Sequence, residues 1–241
     1  MKMKYVKTSN HKRFIAAVDS LSGAAREARI LLLAGAPGTG KTCTVDYFGS
    51  SVRAVHIEGM PGMTVSYIRD LLAYELGVQG GTKFAQQQAI QRVLNQQCTT
   101  IILDEAQHGL DKKADVIEYL RRIAEQAGSI FILVCHSSEQ HRFGEHRLAH
   151  IATRISAVVE FTPATIEDTA LYLAELCEVA IDAGIVAQAH KSSMGRYRLL
   201  TSACSTLEAI AKAKGVDSLS FADTANFVLC ENAMKSLKKG G

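Results

Sequence analysis

The chain has 241 residues, 47% of them hydrophobic, which is enough to bury one core and a smaller appendage. Its net charge of +3 is too mild for binding through bulk charge, so any contact with nucleic acid has to come from a local patch or from several copies acting together. No apolar run reaches membrane-spanning length, and Cys43, Cys98, Cys135, Cys177, Cys204 and Cys230 stand singly without a CxxC pair, which argues for a cytoplasmic, membrane-free protein with reduced cysteines and against a disulfide framework or a zinc site.

In chain order, the basic stretch "MKMKYVKTSNHKRF" leads into no apolar segment. Apolar, β-rich runs then alternate with helix-period segments: "RILLLA", "VRAVHIE", "TTIILDE", "SIFILVC" and "AVVEF" read as strands. That alternation predicts an α/β fold, a central parallel five-stranded sheet covered by helices on both faces. Between the third and fourth strands, Val116, Leu120, Ile123 and Ala127 share one helical face, with Glu118, Arg121, Arg122 and Glu125 expected to turn away from it. After "FTPAT" the strands are expected to stop. Thr165 to Asp168 reads as a capping box, followed by Ile166, Ala170, Leu173, Cys177 and Ala180 at helical spacing. Two more helices follow, "RLLTSACSTLEAIAKAKG" closed by Gly215 and a last one capped by Ser220 and Asp223. The expected division is an α/β nucleotide-binding domain over 1–164 and a small all-helical lid over 165–241.

The chemistry concentrates at the strand ends. Gly35-Ala36-Pro37-Gly38-Thr39-Gly40-Lys41-Thr42 fits G-x-x-x-x-G-K-[ST], follows a strand and opens a helix that continues through Cys43. In such a turn glycines let backbone N–H groups surround phosphate oxygens, Lys41 reaches the terminal phosphates and Thr42 offers a hydroxyl to Mg²⁺. The expected ligand is a nucleoside triphosphate. About sixty residues on, "TTIILDEAQ" ends a buried strand in two carboxylates. Asp104 would hold the Mg²⁺ shell with Thr42, and Glu105 would polarise the attacking water, so ATP hydrolysis is expected rather than phosphotransfer to a small molecule. "SIFILVCHSSEQ" ends the next strand in Ser137 or His136, where a group touching the γ-phosphate belongs. Arg147 and Arg154 precede the last strand, and Arg196 and Arg198 open a lid helix; a guanidinium from any of these could stabilise transition-state charge. His136, His141, His146 and His150 have no accompanying carboxylate or cysteine set, so no metal site is expected of them.

Taken together, "GAPGTGKT", "IILDEAQ", "ILVCHS", "ATRI" and "GRYRLL" resemble the AAA+ ATPases of transposition, the MuB/TnsC family, with helicase-loader ATPases further off. The resemblance covers the chain from about Val6 to the last helix. It implies an ATP-dependent DNA-binding protein that oligomerises into a helical filament or ring on duplex DNA, marks the target and stimulates a DDE transposase. By position, Arg154 looks like that family's arginine finger, acting across a subunit boundary, and Arg198 like the lid's sensor arginine. The same matching puts DNA contact on Thr82 and Lys83 of "QGGTKF" and on Lys112 and Lys113 of "GLDKKAD". Two departures stand out: His-Ser replaces the family's Gly-Asn or Gly-Thr at the sensor position, and about thirty residues precede the phosphate loop, too few for the helix-turn-helix domain of phage MuB proteins. DNA contact is therefore expected of the ATPase domain itself. The competing expectation is an AAA+ loader or remodeller of a replication protein such as a helicase.

Overall fold

The computed structural model describes residues 1–23, 29–97, 99–111, 114–145 and 148–230. Cys98, Lys112, Lys113, His146, Arg147 and the "KSLKKGG" tail lie outside the described residues.

Five strands form the main sheet: β1 (Ile30–Gly35), β2 (Ala54–Glu58), β3 (Thr100–Asp104), β4 (Phe131–His136) and β5 (Ile155–Phe161). Their order is β2-β3-β4-β1-β5, and every pairing is parallel. β1 and β3 are buried along their whole length, as continuous apolar runs must be when helices cover both faces of a sheet. Because side chains alternate across a strand, each run feeds two cores. Leu31 and Leu33, with Ile102, Ile132 and Val134, face Phe14, Val18 and Leu21 of α1 (Ser9–Ser22) and Val45 and Phe48 of α2 (Lys41–Ser51). Leu32 and Ala34, with Ile101, Leu103 and Leu133, face the opposite core. It is built by α3 (Val65–Glu75), α4 (Lys83–Gln97) and α5 (Asp115–Ala127).

On α5, Val116, Leu120, Ile123 and Ala127 are buried as the spacing predicts. Arg121 departs from expectation. It is 6% exposed rather than solvated, because Glu118 and Glu125, one turn away on either side, both pair with it.

By compactness the chain divides into two units: residues 13–35 with 41–161, and residues 1–12 with 36–40 and 162–241. The short helix α6 (Ala149–Ala152) precedes β5 in the first. In the second, α7 (Ile166–Leu176), α8 (Ala183–Ser193) and α9 (Tyr197–Lys214) gather around Leu173, Ile185, Leu200, Cys204 and Leu207. Thr165 caps α7 by accepting from the Asp168 N–H at 3.1 Å, but the other half of the expected capping box is absent: the Asp168 carboxylate takes the Ser9 N–H at 2.8 Å and the Ser9 hydroxyl instead. α7 ends at Leu176, short of the helical spacing read through Ala180, because Cys177 is extended and the chain enters β6 (Ala180–Ile181). β6 pairs in parallel with β7 (Ser218–Leu219), so strands do not stop entirely after "FTPAT". The sequence reading also passed over α8, which Asp182 caps by accepting from the Ile185 N–H at 2.9 Å. Gly215 ends α9 at φ 68°, and Ser220 and Asp223 close the capping box of α10 (Phe221–Thr224), both as expected.

Candidate nucleotide site

In a parallel sheet, loops at the C-terminal strand ends collect polar groups over the edge of the core. Here β1 ends at Gly35, β3 at Asp104 and β4 at His136, and Lys41 opens α2. Within residues 13–35 and 41–161, Lys41 Nζ donates to the Gly35 carbonyl at 2.7 Å. Burial pulls the Lys41 ammonium below its usual range, while Asp104 and Glu105 pull it back up. Lys41 is half-buried, and the desolvation of its cation outweighs the two carboxylates. Thr42 Oγ1 donates to Asp104 Oδ2 at 2.7 Å, so the two residues expected to share a cation meet directly. Cys43, the next residue of α2, is exposed.

Asp104 is nearly fully buried, whereas Glu105 is exposed at a sharp turn of the backbone. Its φ of 48° and ψ of 42° are left-handed, and its N–H is taken by Asp104 Oδ1 at 2.8 Å. Gln107 Nε2 donates to the Glu105 carboxylate. Glu105 and Gln107 border an open recess of 410 Å³ that His136, Ser138, Glu139 and Arg142 also line. The His136 ring nitrogen Nδ1 accepts from the Ser138 N–H at 3.1 Å and lies 2.6 Å from Ser138 Oγ. Ser137 is half-buried and outside that lining. Ser138 and Arg142 were missed in the sequence. Arg142 is held by Glu139 at 2.8 Å, and nothing in "SSEQHRFG" distinguishes it from a solvated helix residue.

Arg154 is elsewhere. It directly precedes β5, whose Ile155 is level with Ile30, the first residue of β1. Five residue-to-residue steps of strand lead from Ile30 to Gly35, about 17 Å at the usual rise. Arg154 therefore stands at the opposite end of the sheet from Lys41, where its Nη1 donates to Glu125 Oε1 at 2.8 Å.

Within residues 1–12, 36–40 and 162–241, the glycine-rich turn lies against the start of α9. The Tyr197 N–H donates to the Gly38 carbonyl at 2.8 Å. Gly38 and Gly40 adopt φ 81° and 87°, and a Cβ on them would come within 3.4 Å of Arg196 Cβ and 3.5 Å of the Tyr197 ring, respectively. Asn10 Nδ2 donates to the Thr39 carbonyl at 3.2 Å, and Thr39 Oγ1 to the Ala36 carbonyl at 2.8 Å. Arg198 is exposed on the first turn of α9. Thr82 and Lys83 are exposed where α4 begins, with Thr82 Oγ1 accepting the Ala85 N–H at 3.2 Å. Two exposed aromatics were also passed over in the sequence: Phe84, next to Lys83 in the chain, is 73% exposed, and Tyr74, at the end of α3, is 81% exposed.

Residues 24–143 match the AAA domain family. The fold is similar to that of the Aeropyrum pernix ORC2 protein in its ADPNP-ADP complexes, at 16% identity and a TM-score of 0.66 over 92% of this chain and 68% of that one. It is also similar to Cdc6p from Pyrobaculum aerophilum, at 17% identity and a TM-score of 0.65 over 98% of this chain and 72% of that one. The Aeropyrum pernix ORC1 protein in complex with DNA matches at 17% identity and a TM-score of 0.60, over 90% of this chain and 63% of that one. No curated protein matches the sequence. The fold is thus the α/β P-loop AAA+ fold, with a five-stranded parallel sheet and a helical C-terminal region. With its AAA domain, the chain is an ATP hydrolase. Among the described residues no helix is long and apolar enough to cross a membrane.

Proposed function

We propose that this chain is an ATP-dependent, largely sequence-nonspecific DNA-binding ATPase that oligomerises on duplex DNA and acts on target DNA in transposition. The observation that carries the reading is the meeting of Lys41, Thr42, Asp104 and Glu105 at the ends of β1 and β3. Gly35 through Cys43 cradle the phosphates of ATP, and Lys41 neutralises the terminal ones. The Thr42 hydroxyl and the Asp104 carboxylate are hard oxygen donors of the kind Mg²⁺ takes, and they would hold the ion that offsets phosphate charge. Glu105 orients the attacking water. Ser137, or the His136 and Ser138 that line the recess beside Glu105, touches the γ-phosphate and that water. Arg198 supplies the lid's guanidinium.

Arg154 acts on the site of a second copy, since about 17 Å of strand separates it from its own phosphate loop. This supports assembly of the protein as a filament or ring. For DNA, the exposed Thr82 and Lys83 supply phosphate contacts, and Tyr74 and Phe84 supply apolar faces of the kind that pack against sugars and bases. Lys112 and Lys113 are a second basic pair assigned to DNA by the resemblance alone. A DDE transposase is the partner that the MuB/TnsC resemblance supports. The similarity of fold to ORC2 and Cdc6p favours a second reading, a loader or remodeller of a replication protein such as a helicase.

Electron microscopy of the protein with duplex DNA and a slowly hydrolysed ATP analogue tests the proposal. Regular protein coats on the DNA are expected with the analogue and none with ADP. In Glu105→Gln, which should bind ATP and scarcely hydrolyse it, the coats should persist with ATP itself. Absence of any nucleotide-dependent assembly on DNA would refute it. Stimulation of a helicase but not of a transposase would select the second reading.

A further inference from the structure

The segment "HIEGMPG" closes β2 and has no part in the site as described so far. The first of its two glycines, Gly59, follows Glu58, which is level with Asp104 in the sheet. The Gly59 N–H donates to the Asp104 carbonyl at 2.8 Å. A Cβ on Gly59 would stand 2.5 Å from the Glu105 carbonyl oxygen, 2.9 Å from the Asp104 carbonyl oxygen and 3.1 Å from the Glu105 carbonyl carbon. All three are backbone atoms, so no change of rotamer relieves the overlap. Gly59 is not among the positive-φ glycines, so its own backbone would accept a side chain; the obstacle is the peptide it touches.

That peptide is where β3 stops being a strand. Asp104 is still paired, whereas Glu105 has turned into the left-handed region, which a residue with a Cβ keeps only where its surroundings hold it there. Three hydrogen bonds hold the Asp104–Glu105 peptide, one from the Asp104 side chain and two within the backbone: the Glu105 N–H to Asp104 Oδ1 at 2.8 Å, the His108 N–H to the Glu105 carbonyl at 3.1 Å, and the Gly59 N–H to the Asp104 carbonyl. The first two come from the turn itself. Only the third reaches across from another strand, and it needs the close approach that a glycine permits.

We propose that Gly59 is a positioning residue for ATP hydrolysis: its N–H and its missing side chain fix the Asp104–Glu105 peptide so that the Glu105 carboxylate faces the recess beside the γ-phosphate position. The inference rests on the reading of Glu105 as the water-orienting group. A shift of about 1 Å in such a group costs about 10²-fold in rate. The expected signature of Gly59→Ala is therefore a fall of about that size in kcat with KM for ATP and the affinity for a fluorescent ATP analogue unchanged.

Steady-state kinetics and analogue binding on full-length wild type, Gly59→Ala, Glu105→Gln and the double variant test it, with Gly49→Ala as the control. A Cβ on Gly49 meets only Ala54 Cβ and Ile102 Cδ1, both at an ordinary 3.5 Å, so that variant should turn over like wild type. In the double variant, Gly59→Ala should lower the residual rate no further, because it acts through Glu105. Wild-type turnover in Gly59→Ala beside an inactive Glu105→Gln overturns the proposal alone. Wild-type turnover in Glu105→Gln overturns the reading beneath it. A Gly59→Ala protein that loses its cooperative unfolding transition or its nucleotide affinity along with turnover makes Gly59 a folding residue and also overturns the proposal.

Discussion

The two ends of the parallel sheet treat charge in opposite ways. At the C-terminal end, the ammonium of Lys41 is pulled down by burial, which Asp104 and Glu105 offset only in part. At the N-terminal end, Arg154 pairs with Glu125, and the pairing continues along α5 through Arg121 to Glu118. Hydrogen bonds from Arg121 hold the Glu118 carboxyl well below its usual range, at about 2, and Glu118 in turn raises the Arg121 guanidinium. Burial dominates at the first end and ion pairing at the second, where a partner can act only by competing for one of the paired members. Arg154, 38% exposed and at the rim of that network, is the member a partner can reach.

Removing Arg154 breaks the comparison most severely. If it serves a neighbouring copy, Arg154→Ala should lose about 10³-fold or more of the DNA-stimulated ATPase rate while binding nucleotide normally. Its half-exposed pairing with Glu125 contributes at most about 1 kcal/mol to stability, so the thermal midpoint should barely move. An unchanged stimulated rate would make Arg154 a structural member of the network only.

A smaller effect sharpens the contrast from the other side. Glu118 titrates lower in the folded chain than its ordinary value of 4.5, so its stabilising contribution is full above that pH and is lost as pH falls toward about 2. Glu118→Gln should therefore lower Tm by a few degrees at pH 7, and the gap from wild type should close as the pH is lowered through that window. Circular dichroism melts across the range check this, and a constant gap would count against it.

The smallest effect concerns an exposed charge at the start of α4. Lys83→Ala should reduce the salt dependence of DNA binding by a slope of about 0.9 for each phosphate that a bound copy no longer neutralises, with nucleotide affinity unchanged. An unaltered slope would remove the start of α4 from the DNA surface.

Much of this arrangement was legible because it follows from local rules. The five strands were readable as apolar runs, and the glycine-rich turn as a fixed spacing that opens a helix. α8 was not readable: "DAGIVAQAH" begins with turn-forming residues, and its cap, Asp182, resembles a loop aspartate until Ile185 is seen to donate to it. β6 and β7 have two residues each, too few for any alternation to register. Arg121 read as a solvated residue because its burial depends on two partners one turn away, which helical spacing permits but does not require. At the site, Lys41, Thr42, Asp104 and Glu105 followed from motif and order, whereas the contact of Gly59 with the Asp104–Glu105 peptide is a backbone approach between strands, of which a sequence carries only the glycine.

Cysteine placement has a practical consequence. Among the described residues Cys135, Cys177, Cys204 and Cys230 are buried away from reagents in solution, and burial also pushes the Cys135 thiol up to about 12. Cys43 is exposed two residues after Lys41, on the first turn of α2. A maleimide fluorophore placed there would be attached within one helical turn of Lys41, so, on the proposed reading of that lysine, the chain already carries an attachment point for reading nucleotide occupancy by fluorescence.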